Sequence, residues 1–147
     1  MLKKLIVLAV LFSGSIVAAY AAPQVMIDPN SGVITLSNNG PPEYASIGIE
    51  LRYNPTGTSQ PDILIGAIAA KAGKQLVVSF PSSGVLRAGL LGFNSMMIGD
   101  GEIAVIKLSG KTSAVPGKHP ILCRIAASTA DGSEVDLHNA TLDFSLK

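Results

Sequence analysis

Apolar positions recur at every second residue in two stretches of the chain. In Ile47-Gly48-Ile49-Glu50-Leu51-Arg52-Tyr53 the isoleucines, Leu51 and Tyr53 fall on one side, with Gly48, Glu50 and Arg52 opposite. Near the C-terminus Leu142, Phe144 and Leu146 alternate with Thr141, Asp143, Ser145 and Lys147. A period of two predicts half-buried β-strands, and a helical period fits neither segment. Residues 76–80 (LVVSF), 85–91 (VLRAGLL) and 103–108 (IAVIKL) are apolar on both sides and predict central or doubly covered strands. Weaker strands are expected over residues 24–27 and 32–37. Asn39-Gly40, Gly99-Asp100-Gly101 and Asp131-Gly132 supply turns between them, and Asn54-Pro55 ends the strand before it.

Residues 62–73 (DILIGAIAAKAG) read two ways. The alanines favour helix, whereas Ile63, Leu64 and Ile65 favour a strand, which is the expectation here through Ile68. The pattern totals about nine strands, with turn signals every eight to twelve residues or so and neither a linker nor an internal repeat. It predicts an all-β fold, a single sandwich or a barrel.

The N-terminus differs from the rest. Lys3 and Lys4 precede an unbroken apolar run over residues 5–12, and Ala19-Tyr20-Ala21 places small residues where a signal peptidase reads them. Residues 1–21 are therefore expected to be a cleavable signal peptide, with an uncleaved membrane anchor as the alternative. Residues 22–147 form the expected domain, secreted or periplasmic and not embedded in a membrane after cleavage. Its length is ample for one core without covalent staples.

Composition removes several functions. Only 14% of residues are charged and the net charge is +1, so nucleic acid has no basic field to meet. The single cysteine, Cys123, rules out a disulfide framework, and alternation puts it beside Ile121 and Ile125 as a core residue. His119 and His138 stand apart beside turn residues and read as surface residues. No metal-spaced pair, nucleophile elbow or phosphate-binding glycine loop is present. No catalysis and no cofactor are expected. Asp131, Glu134 and Asp136 read as a solvated hairpin rather than a calcium loop, which wants more converging oxygens.

Four motifs, in order, resemble those of cohesin domains. Leu51-Arg52-Tyr53-Asn54-Pro55 is similar to the "L-x-Y-D/N-P" that ends an early strand. Residues 84–92 (GVLRAGLLG) resemble the strand leading to a Gly/Asn-rich corner. Gly99-Asp100-Gly101-Glu102-Ile103-Ala104-Val105-Ile106 is similar to the "D-G-x-x-A-x-(I/L)" hairpin. Asp131-Gly132-Ser133-Glu134-Val135 resembles the "D-G-x-x-V" of the last hairpin. The resemblance implies a nine-stranded sandwich with jelly-roll topology, the fold that cohesins share with some cellulose-binding modules. It also implies a non-catalytic module that assembles with another secreted or cell-surface protein through one face, in a polysaccharide-degrading or cell-surface context.

Two alternatives stand beside this reading. A carbohydrate-binding module would have to use a loop cleft, because the chain has no Trp. Tyr53, Phe80 and Phe144 fall in strand patterns that predict core positions, and Tyr44 alone is a poor stacking platform. The other alternative is a structural surface or matrix subunit pairing through sheet edges. The expected contact patch is residues 90–98 (LLGFNSMMI), with Phe93, Asn94, Met96 and Met97 as binding residues. An apolar corner loop of this kind marks an adaptable contact surface if exposed, or a plug for the end of the sandwich if buried.

Overall fold

The computed structural model describes residues 24–28, 31–39 and 43–147. The expected leader and Gly40 of the Asn39-Gly40 turn lie outside them. Two antiparallel sheets form a jelly-roll sandwich. In one, β1 (Gln24–Asp28) pairs with β2 (Val33–Asn38), β2 with β7 (Gly101–Lys107), and β7 with β4 (Asp62–Ile65). The other runs β5 (Gln75–Ser82), β6 (Val85–Leu91), β3 (Ser46–Arg52), β8 (Gly117–Ser128) and β9 (Glu134–Leu146).

Alternation decides what lies between the sheets. Ile47, Ile49 and Leu51 of β3 are buried, as are Leu86, Ala88 and Leu90 of β6 and Ile121, Cys123 and Ile125 of β8. Ile34 and Leu36 of β2, with Ala104 and Ile106 of β7, meet them from the opposite sheet. Each fully buried aliphatic side chain of this kind contributes about 1.5–3 kcal/mol. A register shift where β2 meets β7, between Leu36 and Ser37, leaves Ile103 without a direct partner on β2. Ile103 and Ala104 are consequently both buried despite being adjacent, which explains why β7 reads as apolar on both sides.

Three expectations are corrected. Residues 76–80 do not form a central strand. β5 is the edge of the five-stranded sheet, so Val77 and Val78 are exposed, and Phe80, expected in the core, is exposed as well. The strand expected through Ile68 stops at Ile65, and Ala67–Lys71 is a short helix, α1. The β-branched residues take the strand and the alanines take the helix. Gly66 makes the junction possible. Its N–H donates to the Ile103 carbonyl at 2.7 Å, and a Cβ there would collide with the β7 backbone. Finally, Tyr44 is not a surface ring. It is buried under a backbone bridge to Ile98, with Tyr44 N donating to Ile98 O at 3.2 Å and Ile98 N to Tyr44 O at 2.7 Å.

Candidate functional site: a glycine-floored trough on the five-stranded sheet

The outward-facing residues of the five-stranded sheet follow from its register. Gly48 lies opposite Gly89 on β6 and opposite Ala126 on β8. Three neighbouring strands thus present nothing larger than a methyl group at one level, and the sheet surface sinks into a trough of two adjoining hollows, one of about 300 Å³ running from Gly48 and Ala126 toward Glu50, Arg87 and Arg124, the other of about 250 Å³ over Gly48, Gly89 and Ala126. Its walls come from the flanking strand β5 and from adjacent levels. Val77, in register with Gly89, is 54% exposed. Leu91, two residues beyond Gly89 and therefore on the same side, is 43% exposed. Ser46 and Ser128, in register and hydrogen-bonded to each other, close one end.

The other end is ionic. Glu50 pairs in register with Arg87 and Arg124. Its Oε2 accepts Nε–H of Arg87 at 2.8 Å, and its Oε1 accepts Nε–H of Arg52 at 2.8 Å. The Glu50 side chain is 17% exposed, against 53% for Arg52 and 57% for Arg87, so the carboxylate is a sheltered hub from which the guanidinium groups reach outward. The hydrogen bond from Arg52, then that from Arg87, holds the Glu50 carboxyl below the usual carboxylate range. On the β9 side, Asp136 is in register with Ala126 and Glu134 with Ser128, which gives that flank the opposite charge. Among the described residues no aromatic ring lies on this face.

The corner loop that follows Leu91 divides between the two roles foreseen for it. Phe93 is fully exposed and Met96 is 56% exposed, Met97 is half-buried, and Ile98 is sealed into the end of the core. Asn94 ties the loop down: its Nδ2 donates to the Ala72 carbonyl at 3.0 Å, and its Oδ1 accepts from Nζ of the buried Lys74 at 3.0 Å. Asn94 therefore positions the loop, while Phe93 and Met96 project from it. The trough went unforeseen, because its floor comes from three strands far apart in sequence; the only local signal was a Gly or Ala at an outward position of each.

Other expected residues fall elsewhere. Cys123 is buried, and burial pushes its thiol up to about 11. His119 and His138 are half-buried rather than on the surface. The His119 ring shares a hydrogen bond with the Val115 carbonyl at 2.7 Å, and His138 is in register with Ile125, whose side chain points inward. Asp131 accepts hydrogen bonds from the Thr129 hydroxyl and from the Ser133 N–H, closing the last hairpin. The Thr129 bond leads in holding its carboxyl down at about 2. Among the described residues no group of three His, Cys, Asp or Glu side chains could hold a metal ion, and no helix is long and apolar enough to cross a membrane.

No protein-family model matches the chain, and no curated protein matches it in sequence. Solved structures do match in three dimensions. The sixth cohesin of scaffoldin B from Acetivibrio cellulolyticus, solved with a dockerin, superposes with a TM-score of 0.64 at 17% identity, covering 85% of this chain and 100% of that one. A non-cellulosomal cohesin from the archaeon Archaeoglobus fulgidus gives 0.59 at 17% identity, over 86% and 93% of the two chains. A type I cohesin–dockerin complex from Clostridium thermocellum gives 0.66 at 13% identity, over 85% and 99%. Over its described residues, this chain has the β-sandwich fold of the cohesin modules.

Proposed function

We propose that the chain is a secreted, non-catalytic module that binds another protein on the outer face of its five-stranded sheet, with Phe93 and Met96 as flanking contacts. The observation that carries this reading is the trough over Gly48, Gly89 and Ala126. A floor without side chains lets a partner's side chains approach the backbone, and Val77 and Leu91 give them apolar walls. Arginines at one end and carboxylates along one flank set the orientation, which is the usual division between an apolar centre and a charged rim. The absence of aromatic rings among the described residues of this face argues for a protein rather than a flat polysaccharide. The dockerins held by the two bacterial neighbours are the model for the partner class, and the proposal extends to a polysaccharide-degrading or cell-surface setting. Export by residues 1–21 belongs to this proposal.

The test is capture from the secreted and cell-surface proteins of the host, using the full chain and two variants. Gly48→Arg fills the trough, and Leu64→Arg alters an exposed residue of the opposite sheet. A partner retained by the parent and by Leu64→Arg but lost by Gly48→Arg is the expected result. Equal retention by Gly48→Arg would sink the proposal.

A further inference from the structure

The opposite end of the sandwich from Phe93 holds a second concavity, a cleft of about 380 Å³ that the docking face does not use. It is built by two tight loops. After β3, the Asn54 carbonyl accepts from Gly57 N at 3.2 Å and from Thr58 N at 2.9 Å, and the Asn54 side chain accepts from Thr56 N at 3.0 Å. This loop is tied to the segment after β7, with Ser59 N donating to Ser109 O at 2.8 Å and Lys111 N to Gly57 O at 3.0 Å. Between β5 and β6, Gly84 turns at φ +79 so close to β3 that a Cβ would strike the Tyr53 carbonyl. The cleft is thus rigid without a ligand, which lowers the cost of binding.

Its lining combines two aromatic rings, Tyr53 and Phe80, with the neutral polar side chains of Thr58, Gln60, Ser82 and Ser83. Phe80 is exposed, although a strand phenylalanine ordinarily turns inward. Thr58 is only 1% exposed, and its Oγ1 has no hydrogen-bond partner in the protein. A buried hydroxyl without a partner is costly, and because Thr58 lines the cleft, a rotation of its side chain would bring Oγ1, closed off in this structure, to a ligand there. The ligand chemistry follows by matching. A purely apolar ligand would strand four polar groups, and an anion would find one cation, Lys111. None of the lining residues is acidic, so a metal ion has no charged ligand. A saccharide satisfies both halves of the lining, its C–H faces against the rings and its hydroxyls against groups that both donate and accept. The volume is at the lower end of the range for small-molecule sites.

We propose that this cleft binds a neutral saccharide, one or two sugar residues deep, held between Tyr53 and Phe80 with a sugar hydroxyl paired to Thr58. The site is independent of the docking face. The experiment titrates the isotopically labelled full chain with cellotriose, xylotriose, maltotriose and chitotriose, and with inorganic phosphate, following backbone amide shifts by NMR. The proposal expects at least one trisaccharide to move the amides of Tyr53, Thr58, Ser82 and Gly84, with Gly48→Arg binding as the parent does. Phe80→Ala, at an exposed position, should weaken that affinity about tenfold. Thr58→Val keeps the shape, removes the hydroxyl and should weaken it several-fold with no loss of thermal stability. No response to any of the sugars, a response confined to other parts of the molecule, a response to phosphate alone, or affinity unchanged in Phe80→Ala would each overturn it.

Discussion

Arg87 donates its Nε–H to Glu50 across the β3–β6 pair at 2.8 Å, on the side of the sheet that faces away from the core. Arg52 holds the other oxygen of the same carboxylate, and the two pairs share one anion. Exposed ion pairs of this kind contribute about 0.2–1 kcal/mol each, and less as salt rises. Glu50→Gln is therefore expected to cost about 1 kcal/mol at neutral pH and low salt.

The pH dependence of that cost has a definite sign. The arginines lower the Glu50 carboxyl in the folded protein, so the folded form holds its proton more weakly than the unfolded form. The contribution is complete above the unfolded value of about 4.3 and is lost as the pH falls through the lower folded value. Thermal midpoints of the parent and Glu50→Gln should converge in acid. A gap at pH 3 as wide as at pH 7 would show that the arginines contribute nothing through this carboxylate.

Phe93 and Asn94 are adjacent in sequence and should behave oppositely. Phe93 is fully exposed, so Phe93→Ser should change stability by less than about 0.5 kcal/mol while weakening partner capture. Asn94 satisfies the ammonium of a buried lysine and a carbonyl at the end of α1. Asn94→Ala should cost about 1–3 kcal/mol, because Lys74 then loses this acceptor. Denaturant midpoints separate the two, and an Asn94→Ala protein as stable as the parent would remove the positioning role.

These contrasts show where sequence is informative and where it is not. The alternation in residues 47–53 and 142–146 is a local property, and both segments are strands with the expected sides inward. Cys123 is where its neighbours Ile121 and Ile125 put it. The LVVSF segment failed because its apolar content matches that of a central strand. Whether such a strand is central depends on pairings that no local pattern encodes, and β5 has a partner on one side only. Tyr44 failed for a related reason: the bridge that buries it comes from Ile98, beyond five intervening elements. The trough and the saccharide cleft are assembled from separate strands and loops, so they became visible only with the register and the loop contacts.

Cys123 gives a prediction in the alkaline range. Its thiol is neutral in the fold and titrates at about 11, above the value for an exposed cysteine, because burial disfavours the thiolate. The unfolded chain therefore releases this proton first. The stability linked to it is complete below about pH 8.5 and is lost as the pH rises toward the folded value. A thiol reagent at pH 8 should leave the folded protein unlabelled and react promptly in denaturant. Cys123→Ser should cost about 1–3 kcal/mol by placing a hydroxyl among aliphatic side chains. Rapid labelling without denaturant would mean that the core opens locally at β8.

Gly48 and Gly66 have the same side chain and opposite tolerances. At Gly48 the nearest atom to a new Cβ is the Ala126 carbonyl oxygen at 3.9 Å, an ordinary contact. Gly48→Ala should therefore leave the fold intact and raise stability by about 0.5 kcal/mol, since glycine in a strand carries an entropic cost. At Gly66 a new Cβ would press on the Glu102 carbonyl and lie 2.6 Å from the Ile103 carbonyl carbon. Those are backbone atoms of a central strand and cannot swing away. Gly66→Ala must push α1 off β7, lengthening the 2.7 Å hydrogen bond that anchors it, at a cost of about 1–3 kcal/mol or more. Chemical denaturation of the two variants measures both effects, and a Gly66→Ala protein as stable as Gly48→Ala would mean that α1 does not pack on β7 as closely as described.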